Sequence, residues 1–395
     1  MDGLGDYHYN EFNGLTPLEA AETPNLDSLS ESGETGFHIT IAPGIIPGSD
    51  TAHLSIFGYD PNKFYQGRGV YEALGSGFDL KHGDVAFRAN LGYVKDGKVI
   101  DRRSGREPYL MDKIYDLFND IEIDGVKIYS EHTTEHRGII VLRGEDLSMR
   151  ITDVDPHEVD VPYNESKPEV SIDSANKTAK IVNKFIERSH KILKGSKLNE
   201  IRKEKGLLPA NFLLLRGAGN FTPVNSINKK FGISMACIAG GALYKGVSEF
   251  VGMDVYDVPG ATGDANTDLE SKREYAINAS EEHDIVFLHI KATDSYSHDG
   301  DFTGKKEFIE KVDQKVFNEI ADHFDTILVT GDHSTPCSMG EHSADKVPLF
   351  ISGKNVRSDF GTFSEVNKNP TLYIKSIDIM SCLLNKLEKS EMFGE

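Results

Sequence analysis

The stretch Ile285-Val-Phe-Leu-His-Ile-Lys-Ala-Thr-Asp294-Ser-Tyr-Ser-His298 decides the fold. Its opening run, Ile285 to Ile290, is mostly apolar and predicts a buried parallel strand, because such strands are covered on both faces. Asp294 follows that strand, at the edge where open α/β sheets collect functional groups. His298 comes four residues later, so both side chains can reach one ion from a single turn or short helix. We therefore predict an α/β fold with a metal site at a strand end.

A second acid and imidazole pair follows a second apolar run. Ile327 to Val329 also predicts a buried parallel strand, and Asp332-His333 comes directly after it, with His342 in a polar loop further on. In a chain with 14 histidines, one such pair alone is more often a surface or core pair than a ligand set. Groups at successive strand ends favour ligation. Carboxylate with imidazole suits Mn²⁺, Zn²⁺, Co²⁺ or Mg²⁺, and the lack of thiolates argues against a structural zinc site.

Ser49 is the candidate nucleophile. Pro43 to Gly48 is a loop by composition, and Asp50 to Phe57 predicts the first turns of a helix. A serine there has its hydroxyl at a helix N-terminus, where free N–H groups and the dipole favour an incoming phosphate. Taken alone, Ser49 is more commonly just the N-cap of the helix. Its neighbourhood, Ser49-Asp-Thr-Ala-His53, favours the nucleophile.

Composition limits the class of protein. With 395 residues the chain exceeds the usual size of one core, so two domains are expected. The net charge of −20 argues against nucleic acid or an anionic membrane as partner, because both require a basic surface. Three cysteines without paired spacing indicate a reducing cytoplasm. The acidic start is unlike a signal peptide, and no apolar run reaches the ~18 residues of a membrane span.

The middle of the chain has a different texture from its ends. The candidate metal residues fall before residue 67 and after about 290, which requires both ends to share one sheet. Hairpin-like segments lie between them, so we predict an inserted α+β domain at 67–205 within a domain of 1–66 plus 206–395. Leu18 to Ser32 predicts one amphipathic helix, and apolar residues four apart from Phe308 to Phe324 predict another whose stripe is core packing.

Several motifs carry a family resemblance across essentially the whole chain. They include Asp2-Gly-Leu-Gly-Asp6, Pro47-Gly-Ser-Asp-Thr-Ala-His53, Asp101-Arg-Arg-Ser-Gly-Arg106, His289-Ile-Lys-Ala-Thr-Asp294 and Gly331-Asp-His333. Together they resemble the archaeal-type cofactor-independent phosphoglycerate mutase, a member of the alkaline phosphatase superfamily. The resemblance implies a three-layer α/β/α domain with a mostly parallel sheet, interrupted by the inserted domain. It also implies a cytoplasmic isomerase of glycolysis and gluconeogenesis that interconverts 3-phosphoglycerate and 2-phosphoglycerate without bisphosphoglycerate.

The resemblance also assigns roles to the candidate site residues. Ser49 would form a phosphoserine. Two divalent ions, most often Mn²⁺ with Zn²⁺, Co²⁺ or Mg²⁺ as alternatives, would complete the site. The resemblance implies these ligands: Asp294, His298 and His342 for one ion, and Asp2, Ser49, Asp332 and His333 for the other.

Arginines are the expected substrate ligands, because their planar fork suits phosphate and carboxylate. Any one of them alone is as well explained as solvated surface charge. The resemblance favours Arg102, Arg103, Arg106, Arg216 and Lys245. Which of these binds phosphate and which binds carboxylate stays open, as does the acid or base, for which Asp155 is a candidate. His136-Arg137 is a further candidate pair.

One departure from the family and three alternatives remain. The family has a short apolar strand before Asp-Gly-x-Gly, whereas Met1 here abuts Asp2. We therefore expect a missing first strand, from a misplaced start codon or a truncated chain, with Asp2 on a fraying terminus.

The alternative functions are a metal-dependent phosphatase or other phosphotransferase of the superfamily, and a disabled binding protein. A sulfatase is disfavoured, because no Cys/Ser-x-Pro-x-Arg motif occurs.

Overall fold

The computed structural model describes residues 1–390 and 392. The helices in chain order are α1 (Pro17–Ala20), α2 (Pro24–Glu31), α3 (Ser49–Ile56), α4 (Pro61–Phe64), α5 (Arg68–Gly75), α6 (Met111–Asp116), α7 (Asp173–Lys194), α8 (Lys197–Glu204), α9 (Ile227–Phe231), α10 (Ala242–Phe250), α11 (Leu269–Ala279), α12 (Ala292–His298), α13 (Phe302–Val312), α14 (Asn318–Ile320) and α15 (Ile379–Lys386). The strands are β1 (Glu34–Ile39), β2 (Val85–Lys95), β3 (Lys98–Asp101), β4 (Ile121–Ile123), β5 (Val126–Thr134), β6 (Arg137–Arg143), β7 (Phe212–Asn220), β8 (Met235–Ile238), β9 (Asp254–Tyr256), β10 (Ile285–Leu288), β11 (Thr326–Thr330), β12 (Val347–Gly353) and β13 (Leu372–Lys375).

The chain has a mixed α/β fold in two compact units. The first unit comprises residues 1–65 and 224–395, and the second comprises 66–223. The sequence predicts the second boundary at residue 205, but β7 pairs antiparallel with β2 from Phe212 to Asn220. Because those hydrogen bonds tie residues 206–223 to the second unit, Arg216 lies there and not in the first.

The strands of the first unit form two sheets. Their orders are β11-β12-β1-β13 and β10-β8-β9. The second sheet is parallel, whereas β12 runs antiparallel to both β1 and β11. The expectation of one mostly parallel sheet is therefore corrected to one parallel and one mixed sheet. Asp294 does follow a parallel strand, but the prediction of a parallel strand before Asp332 is wrong, because β11 has β12 as its strand partner.

The second unit is an antiparallel sheet covered by helices. Its strand order is β3-β2-β6-β5-β4, with β7 also on β2. The amphipathic α7 packs Ile181, Val182 and Phe185 into the core of this unit, together with Phe118 and Phe212. A 3₁₀ turn, Ser104–Arg106, follows β3 and carries part of the arginine group of the sequence analysis.

Two predicted helices differ in detail. The helix expected over Leu18 to Ser32 is split into α1 and α2, because Pro24 cannot continue a helix and instead begins a new one at its first position. The apolar stripe from Phe308 to Phe324 does lie in the core, but α13 gives way to a π-helical turn at Asp313–Phe317 before α14. Within the described residues, no helix combines the length and the apolar character needed to cross a bilayer.

Candidate active site

Three carboxylates meet in the first unit although they lie far apart in the sequence. Asp294 is in the first turn of α12, Asp332 follows β11, and Asp2 lies beside both strand ends. Each is almost completely buried, with 1%, 3% and 1% of its surface exposed, respectively. Asp2 is therefore not on a fraying terminus: its amide donates to Ile290 O at 2.8 Å.

His333 lies among these acids. Its Nε2 is 3.2 Å from Asp332 Oδ2, 3.6 Å from Asp2 Oδ1 and 3.3 Å from Ser49 Oγ. The ligand atoms of Asp2, Asp332 and His333 all lie within 4.8 Å of one another, as expected for the shell of one ion. Asp332 Oδ2 is buried and, although His333 Nε2 lies near it, has no hydrogen-bond partner among the described residues, which fits an oxygen that ligates an ion.

A second group with shared ligand geometry lies next to the first. The ligand atoms of Asp294, His333 and His342 are also within 4.8 Å of one another. The more exposed His298 points its Nε2 at Asp294 Oδ2, 3.3 Å away. The structure thus brings together all seven residues predicted as metal ligands, and places His333 between the two groups.

The imidazoles are oriented by their other ring nitrogens. Each Nδ1 has an acceptor: Thr335 Oγ1 at 2.9 Å for His333, Pro47 O at 2.8 Å for His342 and Gly340 O at 2.7 Å for His298. Since Nδ1 then carries the proton, Nε2 presents its lone pair to the acids. Carboxylate oxygens facing preset imidazole nitrogens form a donor set that fits a divalent ion such as Mn²⁺ or Zn²⁺.

Ser49 is the first residue of α3, and Gly48 is the N-cap. Its role is therefore not that of a capping residue. The side chain is 7% exposed and its hydroxyl lies at the free amide end of the helix, facing His333. His53, one turn later, bonds Ser49 O through Nδ1 at 2.6 Å and lies 3.6 Å from Asp332 Oδ2. It holds the serine turn against the acids.

Lys291 and His289 also belong to the site, although the sequence analysis gave them no role. Lys291 Nζ lies 3.4 Å from Asp2 Oδ1 and donates to Asp294, and His289 Nε2 lies 3.1 Å from Asp2 Oδ2. Burial opposes charge on Lys291, but the nearby carboxylates outweigh it and raise its pKa. Burial likewise opposes charge on Asp2, and Lys291 and His289 hold its pKa well below the usual value. The sequence could have indicated these two residues only by their position directly after the apolar run of β10.

A group of arginines lies in the second unit. Arg102 forms a two-fold contact with the buried Asp155, Nε to Oδ1 at 2.9 Å and Nη2 to Oδ2 at 2.7 Å, and Arg216 Nε is 3.9 Å from the same carboxylate. Arg103 and Arg106 are more exposed. Burial lowers the pKa of Arg103, and repulsion by the neighbouring Arg106 and Arg102 lowers it further. These four predicted residues are brought together by the structure.

Further arginines that the sequence analysis did not assign surround Glu72. Arg68 Nε is 3.3 Å and Arg88 Nη1 3.6 Å from Glu72 Oε1. The Nε atoms of Arg88, Arg137 and Arg216 are buried without a hydrogen-bond partner among the described residues. Such unpaired donors are costly unless an anion meets them. Lys245 belongs to the first unit instead, on α10, where its Nζ is 2.7 Å from Asp257 Oδ1.

Comparison with known proteins identifies the family. A family profile described as 2,3-bisphosphoglycerate-independent phosphoglycerate mutase matches residues 30–199. A mutase of that name from Archaeoglobus fulgidus is 46% identical over 405 aligned positions, which cover 100% of this chain and 98% of the relative. The one from Methanocaldococcus jannaschii is 43% identical, covering 100% and 97%. The chain belongs to the family of 2,3-bisphosphoglycerate-independent phosphoglycerate mutases.

Solved structures agree with this family. A protein of Pyrococcus horikoshii is 36% identical with a TM-score of 0.85, covering 100% of this chain and 97% of that one. The cofactor-independent phosphoglycerate mutase of Thermoplasma acidophilum is 34% identical with a TM-score of 0.72, covering 98% and 97%. Members of this mutase family are isomerases, and the two candidate metal-binding groups of the first unit are compatible with a metal-dependent member.

Proposed function

We propose that this family member interconverts 3-phosphoglycerate and 2-phosphoglycerate through a phosphoserine at Ser49, without bisphosphoglycerate. The observation that carries the proposal is the position of Ser49 Oγ, at the first residue of α3 and 3.3 Å from His333 Nε2. A nucleophile at a helix N-terminus, beside a cluster of acids and imidazoles, suits in-line attack on a phosphate. Family membership supports the same reaction.

The residues divide into two metal-binding sets. We assign Asp294, His298 and His342 to one ion, and Asp2, Ser49, Asp332 and His333 to the other. Divalent ions bound there would neutralise the oxygens of the transferring phosphoryl group and lower the pKa of the serine hydroxyl. Mn²⁺ is the first candidate, because oxygen and imidazole ligands both suit it.

The phosphoryl group is transferred to Ser49 and back, and residues of the chain stabilise its charge. Ser49 Oγ gives up its proton and forms the bond to phosphorus, while the bond from phosphorus to the substrate oxygen breaks and that oxygen takes up one proton, so the step has no net proton change. The amides at the start of α3 and the Lys291 ammonium provide positive charge for the phosphoryl oxygens. In the return step the other glycerate hydroxyl gives up its proton and forms the bond to phosphorus, the bond from phosphorus to Ser49 Oγ breaks, and that oxygen takes a proton up again.

The arginine group of the second unit is proposed to bind the anionic substrate. Arg102, Arg103, Arg106 and Arg216 supply bidentate donors. The Nε of Arg216 is buried beside Asp155 but has no hydrogen-bond partner among the described residues, which supports a ligand at this point. Retention of the glycerate between the two steps distinguishes a mutase from a phosphatase. Asp155 is held ionised by Arg102 and so orients the guanidinium. Lys245 is kept as a substrate-binding candidate by family resemblance alone.

Three coarser expectations also remain proposals. We propose that the first unit has the three-layer arrangement of the alkaline phosphatase superfamily, that the second is an inserted domain, and that the protein is cytoplasmic. Family membership supports all three. The mixed sheet and the division at residues 65 and 224 are compatible with the first two.

The test is a coupled assay. Mn²⁺-loaded protein is given 3-phosphoglycerate without bisphosphoglycerate, 2-phosphoglycerate is followed through enolase, and free phosphate is assayed in parallel. We expect enolase signal without phosphate release. Ser49→Ala should reduce it at least 10³-fold, on the order of the loss of a nucleophile. The matched control is Ser55→Ala, in the same helix but with its hydroxyl on Thr40 O. Phosphate release alone would indicate a phosphatase, and full turnover by Ser49→Ala would exclude the phosphoserine.

A further inference from the structure

Arg202 is a buried cation to which the proposed reaction gives no role. It lies on α8 in the second unit, and none of its surface is exposed. Arginine is almost never buried so completely unless a partner compensates its charge. Burial lowers the pKa of this guanidinium, and the charge of Glu107 opposes that effect. All the hydrogen bonds of its side chain within the described residues nevertheless go to backbone carbonyls.

Three of those four carbonyls belong to one short segment, residues 103–110, which we call the arginine turn. Nη2 of the buried guanidinium donates to Ser104 O at 3.3 Å, and Nη1 donates to Glu107 O at 3.3 Å and to Tyr109 O. Nε donates to Leu208 O at 3.1 Å. Because a guanidinium offers five N–H groups in a rigid fork, one side chain holds both segments at fixed separation.

The backbone of the arginine turn is strained. Ser104, Arg106 and Leu110 have φ angles of 44°, 59° and 63°, in the left-handed region that residues other than glycine rarely adopt. Such a conformation persists only where the surrounding structure holds it. The carbonyls that converge on the buried guanidinium provide that restraint.

α8 is itself fixed to the chain just before β7. Asn199 Nδ2 donates to Ala210 O at 2.9 Å, and Asn199 Oδ1 accepts from Ala210 N at 2.8 Å. Nδ2 also donates to Leu193 O at 3.0 Å, near the end of α7. Asn199 is buried, so these bonds are sheltered from water. Arg202, three residues further on, is therefore held in a defined position near the strand that carries Arg216.

The arginine turn carries two of the residues proposed to bind substrate, Arg103 and Arg106. Both are exposed. Burial, and then the charges of Arg106 and Arg102, lower the pKa of Arg103. Since these like charges repel one another, a restraint on the backbone is needed for two guanidinia to meet the same anion.

We propose that Arg202 is a positioning residue for substrate binding, which clamps the arginine turn so that Arg103 and Arg106 face one anionic group. This inference rests on the proposed function, in which those two residues bind the phosphoglycerate. Arg202 acts through the turn and does not touch substrate, because its own side chain is buried. A lysine could not replace it, since a single ammonium cannot span carbonyls of both segments.

Steady-state kinetics with 3-phosphoglycerate test the clamp. Arg202→Met removes the donors, and Arg202→Lys keeps the charge without the fork. The control is Arg188→Met, an exposed arginine of α7 whose Nη1 reaches a single carbonyl, Glu122 O, at 3.4 Å. We expect both Arg202 variants to raise the KM by about 10-fold or more, with kcat within about twofold of the parent, because misplaced binding groups weaken substrate binding. The control should match the parent.

A merely structural role predicts a different result. Loss of folded enzyme lowers the apparent kcat and leaves the KM unchanged, and that outcome would overturn the proposal. So would full activity of Arg202→Lys, because the fork would then be dispensable. If Arg202→Met does not fold, the lysine variant decides. A parent that converts no 3-phosphoglycerate would instead overturn the proposed function.

Hydrogen exchange resolved to single amides tests the clamp without substrate. The amide of Arg106 donates to Arg103 O at 2.8 Å, and that of Gly105 donates to Asp101 Oδ1 at 3.2 Å. Both should exchange about 10-fold faster in Arg202→Lys, while the amide of Phe185 in α7 should be unaffected. Unchanged exchange in the arginine turn would show that Arg202 does not hold it, and faster exchange with an unchanged KM would show that the restraint does not serve binding.

Discussion

At the residue scale, one buried lysine joins the segments that carry the candidate metal-binding groups. Lys305 Nζ donates to Gly3 O at 2.9 Å, to Thr335 O at 3.2 Å and to Asp6 Oδ2 at 2.8 Å. Both Lys305 and Asp6 side chains are 0% exposed. The segment with Asp2 and the segment with His333 are therefore fixed to one another through a single ammonium.

We predict that Lys305→Met destabilises the protein by about 3 to 5 kcal/mol, because Asp6 is left as an unpaired buried charge. Chemical denaturation of the variant and the parent measures this. Lys306→Met is the matched control: its neighbouring ammonium pairs with Glu310 and is 24% exposed, so its loss should cost less than about 1 kcal/mol. Equal losses in the two variants would contradict the argument.

Thr335 governs the orientation of His333. Its hydroxyl accepts from His333 Nδ1 at 2.9 Å and donates to Asp294 Oδ1 at 3.0 Å. Thr335→Val should weaken Mn²⁺ binding by about 10- to 100-fold, since the acceptor that fixes the imidazole is lost. Calorimetric titration of metal-free protein measures the affinity. Thr335→Ser keeps the hydroxyl and should bind nearly as the parent does; an unchanged affinity in the valine variant would refute this role.

His38 predicts part of the pH dependence of stability. It is fully buried in β1, where burial lowers the pKa of its imidazole from 6.5 to about 4. Between these values the unfolded chain binds a proton that the folded chain does not. Stability should therefore rise with pH from about 4 to 6.5 and level off above, and this group contributes on the order of 3 kcal/mol.

Urea denaturation at pH 4.5 and 7 checks this sign. His38→Gln should lose less stability on acidification than the parent, because glutamine does not titrate. His82→Gln, at an exposed position, should show the parent's full pH dependence. If both variants lose as much as the parent, His38 is not the source.

The sequence identified the acids and imidazoles better than it identified the cations. Asp294 with His298, and Asp332 with His333, stand out because each pair follows an apolar run. Lys291 carries no comparable signal, since a lysine after a strand is ordinarily solvated. The position of Arg88 beside Glu72 could not be predicted from the sequence either, because only the fold brings its strand next to that carboxylate.

At the element scale, the differences between prediction and structure come from strand partners. The apolar run before Asp332 correctly predicts a strand, yet hydrophobicity does not encode direction, and β12 pairs with it antiparallel. The helix expected over Leu18 to Ser32 does bury Leu18 and Leu26, but Pro24 begins a second helix and so divides the predicted one in two. The hairpin-like segments expected in the middle of the chain include β2 and β3, which pair antiparallel, since alternation and turn residues are local signals.

Gly36 provides a prediction at this scale. It lies in β1 between β12 and β13, and a Cβ there would be 1.9 Å from Leu372 O. Gly36→Ala should force β13 away and lower stability by about 1 to 3 kcal/mol. Thermal unfolding measures the loss. Gly195→Ala is the control, because the nearest atom would be 3.7 Å from the new Cβ. If the Tm of Gly195→Ala fell as far as that of Gly36→Ala, a steric cause would be contradicted.

At the scale of the whole molecule, the second unit is one continuous segment with its own core. Residues 66–223 contain a hydrophobic core from Val85 to Leu215, and the amide of Asn220 donates to Gln66 O at 2.9 Å. Its two ends are therefore hydrogen-bonded to each other. The sequence predicted a separate middle segment but placed its end too early, because the pairing of β7 with β2 is a long-range contact.

We predict that a fragment of residues 66–223 folds alone. It should unfold in a single cooperative transition, because its sheet and core lie within the fragment. Circular dichroism during thermal unfolding measures this. A fragment of residues 66–205 lacks β7 and should fail to fold, and a cooperative transition in that shorter fragment would show that β7 is dispensable.

The hydrogen bond between Gln66 and Asn220 has an evolutionary consequence. A gene segment that encodes residues 66–223 could be gained, lost or exchanged in one recombination event, because its two junctions lie side by side in the folded unit. Descendants of a common ancestor could then keep one reaction centre while acquiring different modules for selecting the molecule that reacts there. Substrate range would change by exchange of a cassette, with the inherited chemistry left in place.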